Sequence, residues 1–190
     1  MDPLLVGVIV FVAAPAAAAT ARWIRGMRAN NAAPAPKPLA LTAQSGDGIR
    51  IGTVVTHLGE TYWLAGCLSL RRDGSTLFRV FLAPEQGQDR WVIIPRDDSW
   101  VWIVDRVAAL ESMGFPGVEV PYEGRVLRRA EHGQVGIEAA GEGVRGWEGL
   151  AKFGVFRSVD RVALFIERAD RKHYALVGRE VPRSSLQTLG

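Results

Sequence analysis

The chain has 190 residues, of which 48% are apolar and 23% charged, a composition that can build a sizeable core and that excludes disorder over the whole chain. A single cysteine, Cys67, excludes an internal disulfide and a cysteine-based zinc finger. The formal net charge is +3, but from Leu41 onward 19 basic side chains are balanced by 19 acidic ones, so we expect no nucleic-acid partner.

The amino-terminal segment has the composition of a membrane anchor. Pro3 to Ala21 is a run of 19 residues without a charge, which as a helix would be about 28 Å long, close to the thickness of the hydrocarbon core of a bilayer. Arg22, Arg25 and Arg28 follow this run, and Trp23 has the amphipathic ring that favours the headgroup level. The positive-inside rule would place the amino terminus outside and everything after it in the cytoplasm.

A cleaved signal peptide is the alternative for the same segment, because Ala16 to Ala21 offers small residues that a signal peptidase accepts. Basic residues follow the apolar run instead of preceding it, which favours the anchor. We predict an anchor with its basic juxtamembrane segment over 1–26, a Pro/Ala-rich linker over 27–48 and a β-rich domain over 49–190. Membrane lipid would then be a partner, and the domain would face the cytoplasm from the inner (cytoplasmic) membrane. A secreted domain, released by cleavage, is the alternative.

From Ile49 onward, short alternating apolar segments broken by Gly and Asp predict β-strands. The adjacent pair Asp73-Gly74 predicts a two-residue hairpin turn, because Asp and Gly tolerate the positive φ that such a turn needs. A short helix is predicted over 105–113, ended by Gly114. In this half we predict strands over 49–56, 62–70, 76–82, 90–95 and 100–104.

The second half has the same strand-turn-strand rhythm, with a turn predicted at Glu131-His132-Gly133 and a loop over Gly141 to Gly149. Strands are predicted here over 118–120, 125–130, 135–139, 155–157, 162–167 and 174–179. Many short strands with almost no helix predict a mainly β domain, a β-sandwich or barrel-like body of antiparallel strands, in two similar halves.

A pattern of turn glycines and core aromatics runs through this region. Its members are Gly52, Val54, Gly59, Tyr62, Gly66, Asp73-Gly74 and Trp91, followed by Val120, Tyr122, Gly124, Gly133, Trp147-Glu148, Phe165, Glu167, Tyr174 and Gly178. From Ile49 to about Val181 the chain therefore resembles a bacterial family, domain of unknown function 4178. Where that family usually has a tryptophan-rich strand ending in Glu-Tyr, this chain has Phe78-Arg79-Val80-Phe81.

The resemblance implies no known activity. It implies proximity to phage-shock-like envelope-stress proteins, small multi-span membrane proteins and polyamine-synthase-like proteins. A membrane or envelope-stress protein is accordingly the expected partner, and envelope homeostasis or stress response the expected setting.

Two patterns are candidates for cofactor or metal chemistry. Gly141 to Gly146 matches G-x-G-x-x-G, but no βαβ unit surrounds it, so we interpret it as a loop and not as a dinucleotide site. His57, His132 and His173 are widely separated, and none has a second ligand at metal-binding spacing. We therefore predict no cofactor and no metal.

The candidate nucleophiles lack partners in the sequence. Cys67 lies in an apolar strand, where a thiol is ordinarily an inert core residue. Ser184 and Ser185 have no histidine near them in the sequence, and Asp97-Asp98 is most simply a turn. We assign no catalytic residue.

A partner-binding patch is the remaining candidate site. In an extended strand Trp100 and Trp102 project to one face, and Arg71 and Arg72 lie at a hairpin tip. Tryptophan and arginine are frequent in binding hot spots, although core packing is the default for a tryptophan. We interpret the protein as a membrane-anchored, cytoplasm-facing binding or scaffold domain. The alternative is an accessory subunit or enzyme that binds a small ligand in a β-barrel mouth around Trp100 and Trp102.

Overall fold

The structure of the protein is a computed structural model that describes residues 48–85, 88–97 and 99–189. The predicted anchor, its interface residues Arg22, Trp23, Arg25 and Arg28, and the linker up to residue 47 lie outside the described residues. In the described ranges, no helix has both the length and the hydrophobicity that crossing a bilayer requires.

The described residues form twelve strands, one short helix and one 3-10 turn. The helix α1 is Ala108–Glu111, and the 3-10 turn is Arg183–Ser185. The strands are β1 Val54–His57, β2 Glu60–Trp63, β3 Gly66–Arg72, β4 Ser75–Glu85, β5 Gln88–Pro95, β6 Trp100–Arg106, β7 Glu119–Tyr122, β8 Arg125–Gly141, β9 Gly149–Arg157, β10 Val162–Arg168, β11 His173–Pro182 and β12 Gln187–Leu189.

Eight of these strands close into an antiparallel barrel in the order β3-β4-β5-β6-β11-β10-β9-β8, with β8 paired back to β3. The barrel consists of two four-stranded meanders, β3 to β6 and β8 to β11. Their first strands pair with each other, and so do their last strands. The prediction of a mainly β, barrel-like domain is confirmed.

The barrel interior is a packed core. Inward-pointing residues recur with period two along each strand, as Leu68 and Leu70 do on β3 and Phe153 and Val155 on β9. All eight barrel strands contribute to this one cluster. Burying one such large apolar side chain contributes about 1.5–3 kcal/mol, so the filled interior is the main stabilising feature of the fold.

Two smaller cores lie on the outside of the barrel. A three-stranded sheet, β12-β1-β2, covers the outer face of β3 to β6 and buries Val55 and Tyr62 against Phe81 and Val92. Helix α1 and strand β7 cover the outer face of β9 to β11, where Leu110 packs near Phe156 and Phe165. The barrel therefore has apolar contacts on both surfaces of its strands.

The predicted strand over 62–70 is two strands, β2 and β3, because the backbone changes sheets between them. The amide of Leu64 donates to the Thr53 carbonyl beside β1, at 3.0 Å, while the amide of Ala65 donates to Leu82 in the barrel, at 2.9 Å. The single apolar run over 62–70 thus supplies one strand to the three-stranded sheet and one to the barrel. The pattern of side chains alone does not show where the pairing partner changes.

The turn predicted at Glu131-His132-Gly133 is wrong. All three residues lie within β8, where an irregularity between Arg129 and Glu131 shifts the register against β9. Gly133 pairs with Phe153, and a Cβ atom at Gly133 would lie 3.0 Å from Arg72 Nη1 and 3.3 Å from the Phe153 ring. The glycine therefore permits a close approach of side chains instead of reversing the chain.

The local turn chemistry is confirmed elsewhere. Asp73 and Gly74 both have positive φ, 51° and 76°, and they join β3 to β4 with Arg72 opposite Ser75. The predicted helix over 105–113 is shorter, because Asp105 and its neighbour Arg106 stay in β6 and pair with β11. Only 108–111 are helical.

Candidate functional site

One end of the barrel is closed by the loop between β8 and β9. This loop, residues 142–148, buries Val144 and Trp147 in the interior cluster. Trp147 stacks on Tyr174 with ring centroids 3.5 Å apart, and its ring lies 5.6 Å from that of Trp91. We call this loop the plug. It leaves the opposite end as the one where a ligand could enter.

The G-x-G-x-x-G motif begins at Gly141, the last residue of β8, and continues into the plug. Gly141, Gly143 and Gly146 have positive φ values of 87°, 73° and 81°. At Gly141 a Cβ atom would also lie 2.5 Å from the Ala65 carbonyl oxygen. These glycines let the chain turn closely over the barrel end, and the motif is a loop in the structure.

A cavity of about 620 Å³ opens at the other end of the barrel. The barrel strands run from the plug to this cavity. On β4, Leu82 lies under the plug and Phe78 borders the cavity. On β5, Trp91 lies near the plug and Pro95 borders the cavity. We call this space the mouth cavity. Its lining residues are Leu77, Phe78, Pro95, Arg96, Asp97, Trp102, Ala130, Glu131, Val155 and Arg157.

The floor of the mouth cavity is aromatic. Trp102 is 1% exposed, and the Phe78 ring lies 5.5 Å from it at an angle of 47°. The indole Nε1 of Trp102 is buried and has no hydrogen-bond acceptor in the part of the chain that the structure describes. A buried donor without an acceptor costs about 1–3 kcal/mol, so this N–H, which has almost no accessible surface, is a local destabilising feature of the core.

Two ion pairs hold charged side chains at the rim. The Arg157 guanidinium lies 5.3 Å from the centroid of the Trp102 ring, and its Nη1 is 2.6 Å from Glu180 Oε1. Glu131 Oε1 is 3.4 Å from Arg72 Nη2. The β8 irregularity brings Glu131 to this position, because the residue follows the shift in register.

Arg96 and Asp97 follow the end of β5 and complete the rim. The backbone amide of Arg96 donates to the Leu77 carbonyl at 2.7 Å, which fixes this corner to the start of β4. The Asp97 carboxylate accepts hydrogen bonds from the amide and hydroxyl of Ser99, at 3.4 and 2.9 Å. Among the residues with described positions, the Arg96 side chain forms no ion pair.

The structure separates the members of the predicted patch. Trp102 lies on the cavity floor, and Arg72 reaches the rim through Glu131. Trp100 is 49% exposed at the start of β6 and does not line the cavity, while Arg71 pairs with Glu138 at 2.8 Å. Trp100 and Trp102 therefore do not form one exposed tryptophan pair.

A serine–histidine contact is the group that the sequence analysis missed. Ser185 Oγ lies 3.1 Å from His57 Nδ1, across 128 residues of chain, because β12 pairs with β1. The hydroxyl donates to the Pro182 carbonyl at 2.7 Å. Its single proton is therefore already engaged, and the histidine holds the 3-10 turn in place instead of activating a nucleophile.

A charged cluster links β2 to the barrel. Arg90 contacts Glu60 at 2.8 Å and both Glu85 and Asp105 at 3.3 Å. The Tyr62 hydroxyl donates to Glu60 and lowers the pKa of that carboxyl, while burial raises the pKa of Tyr62 to about 12. Asp105 Oδ1 is nevertheless buried and has no hydrogen-bond partner in the described part of the chain, and burial raises the pKa of Asp105. Within the described ranges, no group of three or more His, Cys, Asp or Glu residues could hold a metal ion.

Cys67 lies outside the mouth cavity, on the outer face of β3 against the three-stranded sheet. Burial raises the pKa of its thiol to about 11. The thiol is therefore protonated at neutral pH, as a core residue is expected to be.

The family model described as Domain of unknown function (DUF4178) matches residues 50–183, which include every strand from β1 to β11. No curated protein and no solved structure matches the chain. Because the family match spans the whole barrel and its mouth cavity, the chain belongs to the DUF4178 family.

Proposed function

We propose that this domain is a binding module and that the mouth cavity is its ligand-binding site. The single observation that carries the proposal is the difference between the two barrel ends: Trp147 fills one, whereas about 620 Å³ is open at the other. Small-ligand sites have volumes of roughly 300–1,000 Å³ and combine apolar walls with a few polar groups. The mouth cavity has this composition.

The side chains in the cavity are suited to recognition. Leu77 and Pro95, which are partly buried, and Ala130, which is exposed, offer apolar surface that would gain from contact with a ligand. The Arg96 and Arg157 guanidiniums, which line the cavity, can fix the ligand's orientation through hydrogen bonds.

A fragment screen followed by protein NMR tests this proposal. Fragments that enter the cavity are expected to shift the amide signals of its lining residues. Ala130→Trp should abolish these shifts, because Ala130 lines the cavity and a large ring there would fill it. Ala109→Trp, at an exposed position on α1, is the matched control and should leave them unchanged. A screen in which no fragment shifts the lining signals would contradict the proposal.

We also propose that the domain is held at the cytoplasmic face of a membrane by residues 1–26. The uncharged run Pro3 to Ala21 and the arginines behind it support this. Full-length protein should sediment with membranes, and a chain beginning at Thr42 should not. A carboxy-terminal phosphatase fusion that is active in the periplasm would instead indicate the exported, cleaved form.

The third proposal is a role in envelope homeostasis or stress response, with a membrane or envelope-stress protein as partner. This proposal is supported by the envelope-stress and membrane proteins near which, according to the family resemblance, such domains are expected to occur. Affinity capture of the full chain from solubilised membranes, compared with the chain from Thr42, tests it. If neither captures a membrane or envelope protein, the adaptor role is wrong.

A further inference from the structure

We infer that the outward face of the three-stranded sheet β12-β1-β2 lies on the membrane surface and forms a second membrane contact besides the anchor. This rests on the proposed attachment of the domain to a membrane and names the surface of the domain that meets the lipid. It follows from the composition of this face, from an exposed leucine at the tip of its hairpin and from the point where the chain enters the domain.

The outward face of this sheet is uncharged. Val55 and Tyr62 point towards the barrel, so the residues that alternate with them point outwards. The outward residues form two rows across the sheet, Trp63-Val54-Leu189 and Thr61-Thr56-Gln187. Trp63 and Leu189 are exposed. A tryptophan ring favours the headgroup level of a bilayer, and the hydroxyl and amide groups of the second row can form hydrogen bonds with headgroups.

The hairpin between β1 and β2 has an apolar tip. Leu58 and Gly59 form this turn, and Leu58 is 90% exposed with φ at 50°. A two-residue turn with positive φ favours Asn, Asp or Gly, because a bulky side chain is sterically disfavoured there. The leucine is therefore neither favoured by the turn nor packed in a core. Burial of its side chain at the boundary between headgroups and acyl chains would be favourable.

The chain enters the domain beside this face. The Gly48 carbonyl accepts a hydrogen bond from Thr53 Oγ1 at 3.4 Å. The Thr53 carbonyl accepts one from the amide of Leu64, the neighbour of Trp63, at 3.0 Å. The predicted anchor and linker precede Gly48 in the sequence, so they join the domain next to the row that contains Trp63.

These features favour lipid over a protein as the occupant of the face. Hot spots in protein interfaces are rich in arginine as well as in aromatic residues, and the described residues of this face include no charged side chain. The exposed Arg50, between Gly48 and Thr53, can instead meet anionic headgroups next to the face.

The tether allows this contact to be weak. A flexible linker holds the domain near the bilayer at an effective concentration on the order of 1 mM, so a face with a Kd of about 1 mM is bound about half of the time. Without the tether such a contact is too weak to hold the domain on a membrane. A chain beginning at Thr42 is therefore still expected not to sediment with membranes.

Fluorescence quenching by lipid tests the inference on the full chain. Thr61→Cys places a label on the outward face, and Ala109→Cys places the matched control on the exposed side of α1, across the barrel. Both proteins carry Cys67→Ala, so that only one thiol reacts. They are reconstituted into vesicles of phosphatidylethanolamine and phosphatidylglycerol that contain lipid with a nitroxide on its acyl chain. The Thr61 label should lose up to about half of its emission, as a face bound half of the time would, and the Ala109 label little.

Two charge substitutions provide the matched variants. Trp63→Glu places a charge on the face and should restore most of the emission of the Thr61 label. Leu150→Glu makes the same kind of change at another exposed apolar side chain, on the outer side of β9, and should leave the quenching as it was. Circular dichroism checks that both variants are folded.

Each outcome has a distinct meaning. If the full chain does not sediment with the vesicles, the proposed attachment is wrong and this inference fails with it. If the chain sediments but the Thr61 label is quenched no more than the Ala109 label, this inference alone is overturned. If the Thr61 label is shielded both from the lipid nitroxide and from iodide in the water, a second copy of the chain covers the face, and the membrane contact is overturned.

Discussion

Trp147 and Tyr174 stack with their ring centroids 3.5 Å apart and their planes 29° from parallel, and this contact holds the plug across the closed end of the barrel. The Arg106 guanidinium lies over the Tyr174 ring, 5.3 Å from the ring centroid. The Nε atom of Arg106 is also 2.7 Å from Glu111 Oε1. The plug is thereby connected to β11, β6 and α1. Removing the Trp147 ring should therefore destabilise the whole domain.

We therefore expect Trp147→Ala to lower the free energy of unfolding by about 3–5 kcal/mol, the usual cost of deleting a large buried aromatic side chain. Urea denaturation followed by circular dichroism measures this. Trp63→Ala is the matched control, because Trp63 is 48% exposed, and it should lose less than half as much. Equal losses for the two variants would show that the plug is not part of the stabilising core.

Gly178 lies where β11 passes closest to β6. A Cβ atom there would collide with the Ile103 carbonyl oxygen and crowd the Val104 Cα. Gly178→Ala should consequently destabilise the domain by about 1–3 kcal/mol, as overpacking does. Gly136→Ala, in a strand position with open space around it, should change stability by less than about 1 kcal/mol. Thermal unfolding of both variants compares them, and a tolerated Gly178→Ala would contradict the close approach of these strands.

Alkaline pH should weaken the domain through Cys67. Burial raises the pKa of the thiol to about 11, against the opposing effect of the nearby Arg79 guanidinium. Because the ordinary value is about 8.5, the contribution of the protonated thiol is complete below that pH and is lost as pH rises towards the folded-state value.

The measurement is the free energy of unfolding of the wild type and of Cys67→Ala at several pH values between 8 and 11. The free energy of unfolding of the wild type should fall more over this interval than that of Cys67→Ala, because the other titrating groups are common to both proteins. Parallel curves would show that burial does not resist ionisation of this thiol.

The contact between His57 and Ser185 should contribute modestly to stability. Ser185→Ala removes the hydroxyl that joins His57 to the Pro182 carbonyl, and we expect a loss of about 0.5–1.5 kcal/mol. Ser184→Ala, at the exposed neighbouring position, should stay within about 0.5 kcal/mol of the wild type. Hydrogen exchange in β1 and β12 should quicken in the first variant alone. If Ser185→Ala changed neither stability nor hydrogen exchange, strand pairing alone would suffice to hold the 3-10 turn.

Features with local causes were predictable from the sequence. The Asp73-Gly74 turn follows from the backbone freedom of two adjacent residues, and the strand over 90–95 follows from a short apolar run that lies within β5. The barrel class follows from the number and spacing of such segments. None of these depends on which distant strand becomes a neighbour.

Features with distant causes were not predictable. Gly133 is a residue that favours turns, and only the crowding of Phe153 from β9 shows why a strand needs a glycine there. The mouth cavity draws its lining from five strands and their ends, so no single motif announces it. The sequence shows that Trp102 has a large ring, but the burial of this ring depends on closure of the barrel. The contact between Ser185 and His57 likewise depends on the pairing of β12 with the distant strand β1.

The pairing of the two meanders, first strand with first and last with last, has a kinetic consequence. Within each meander, neighbouring strands are joined by short connections and can associate early, whereas the two seams bring together segments from distant parts of the chain. Closing such long loops carries most of the entropic cost of folding this topology and slows it. Refolding should therefore be limited by joining β3 to β8 and β6 to β11, and until both seams form, each half exposes unpaired strand edges that favour aggregation.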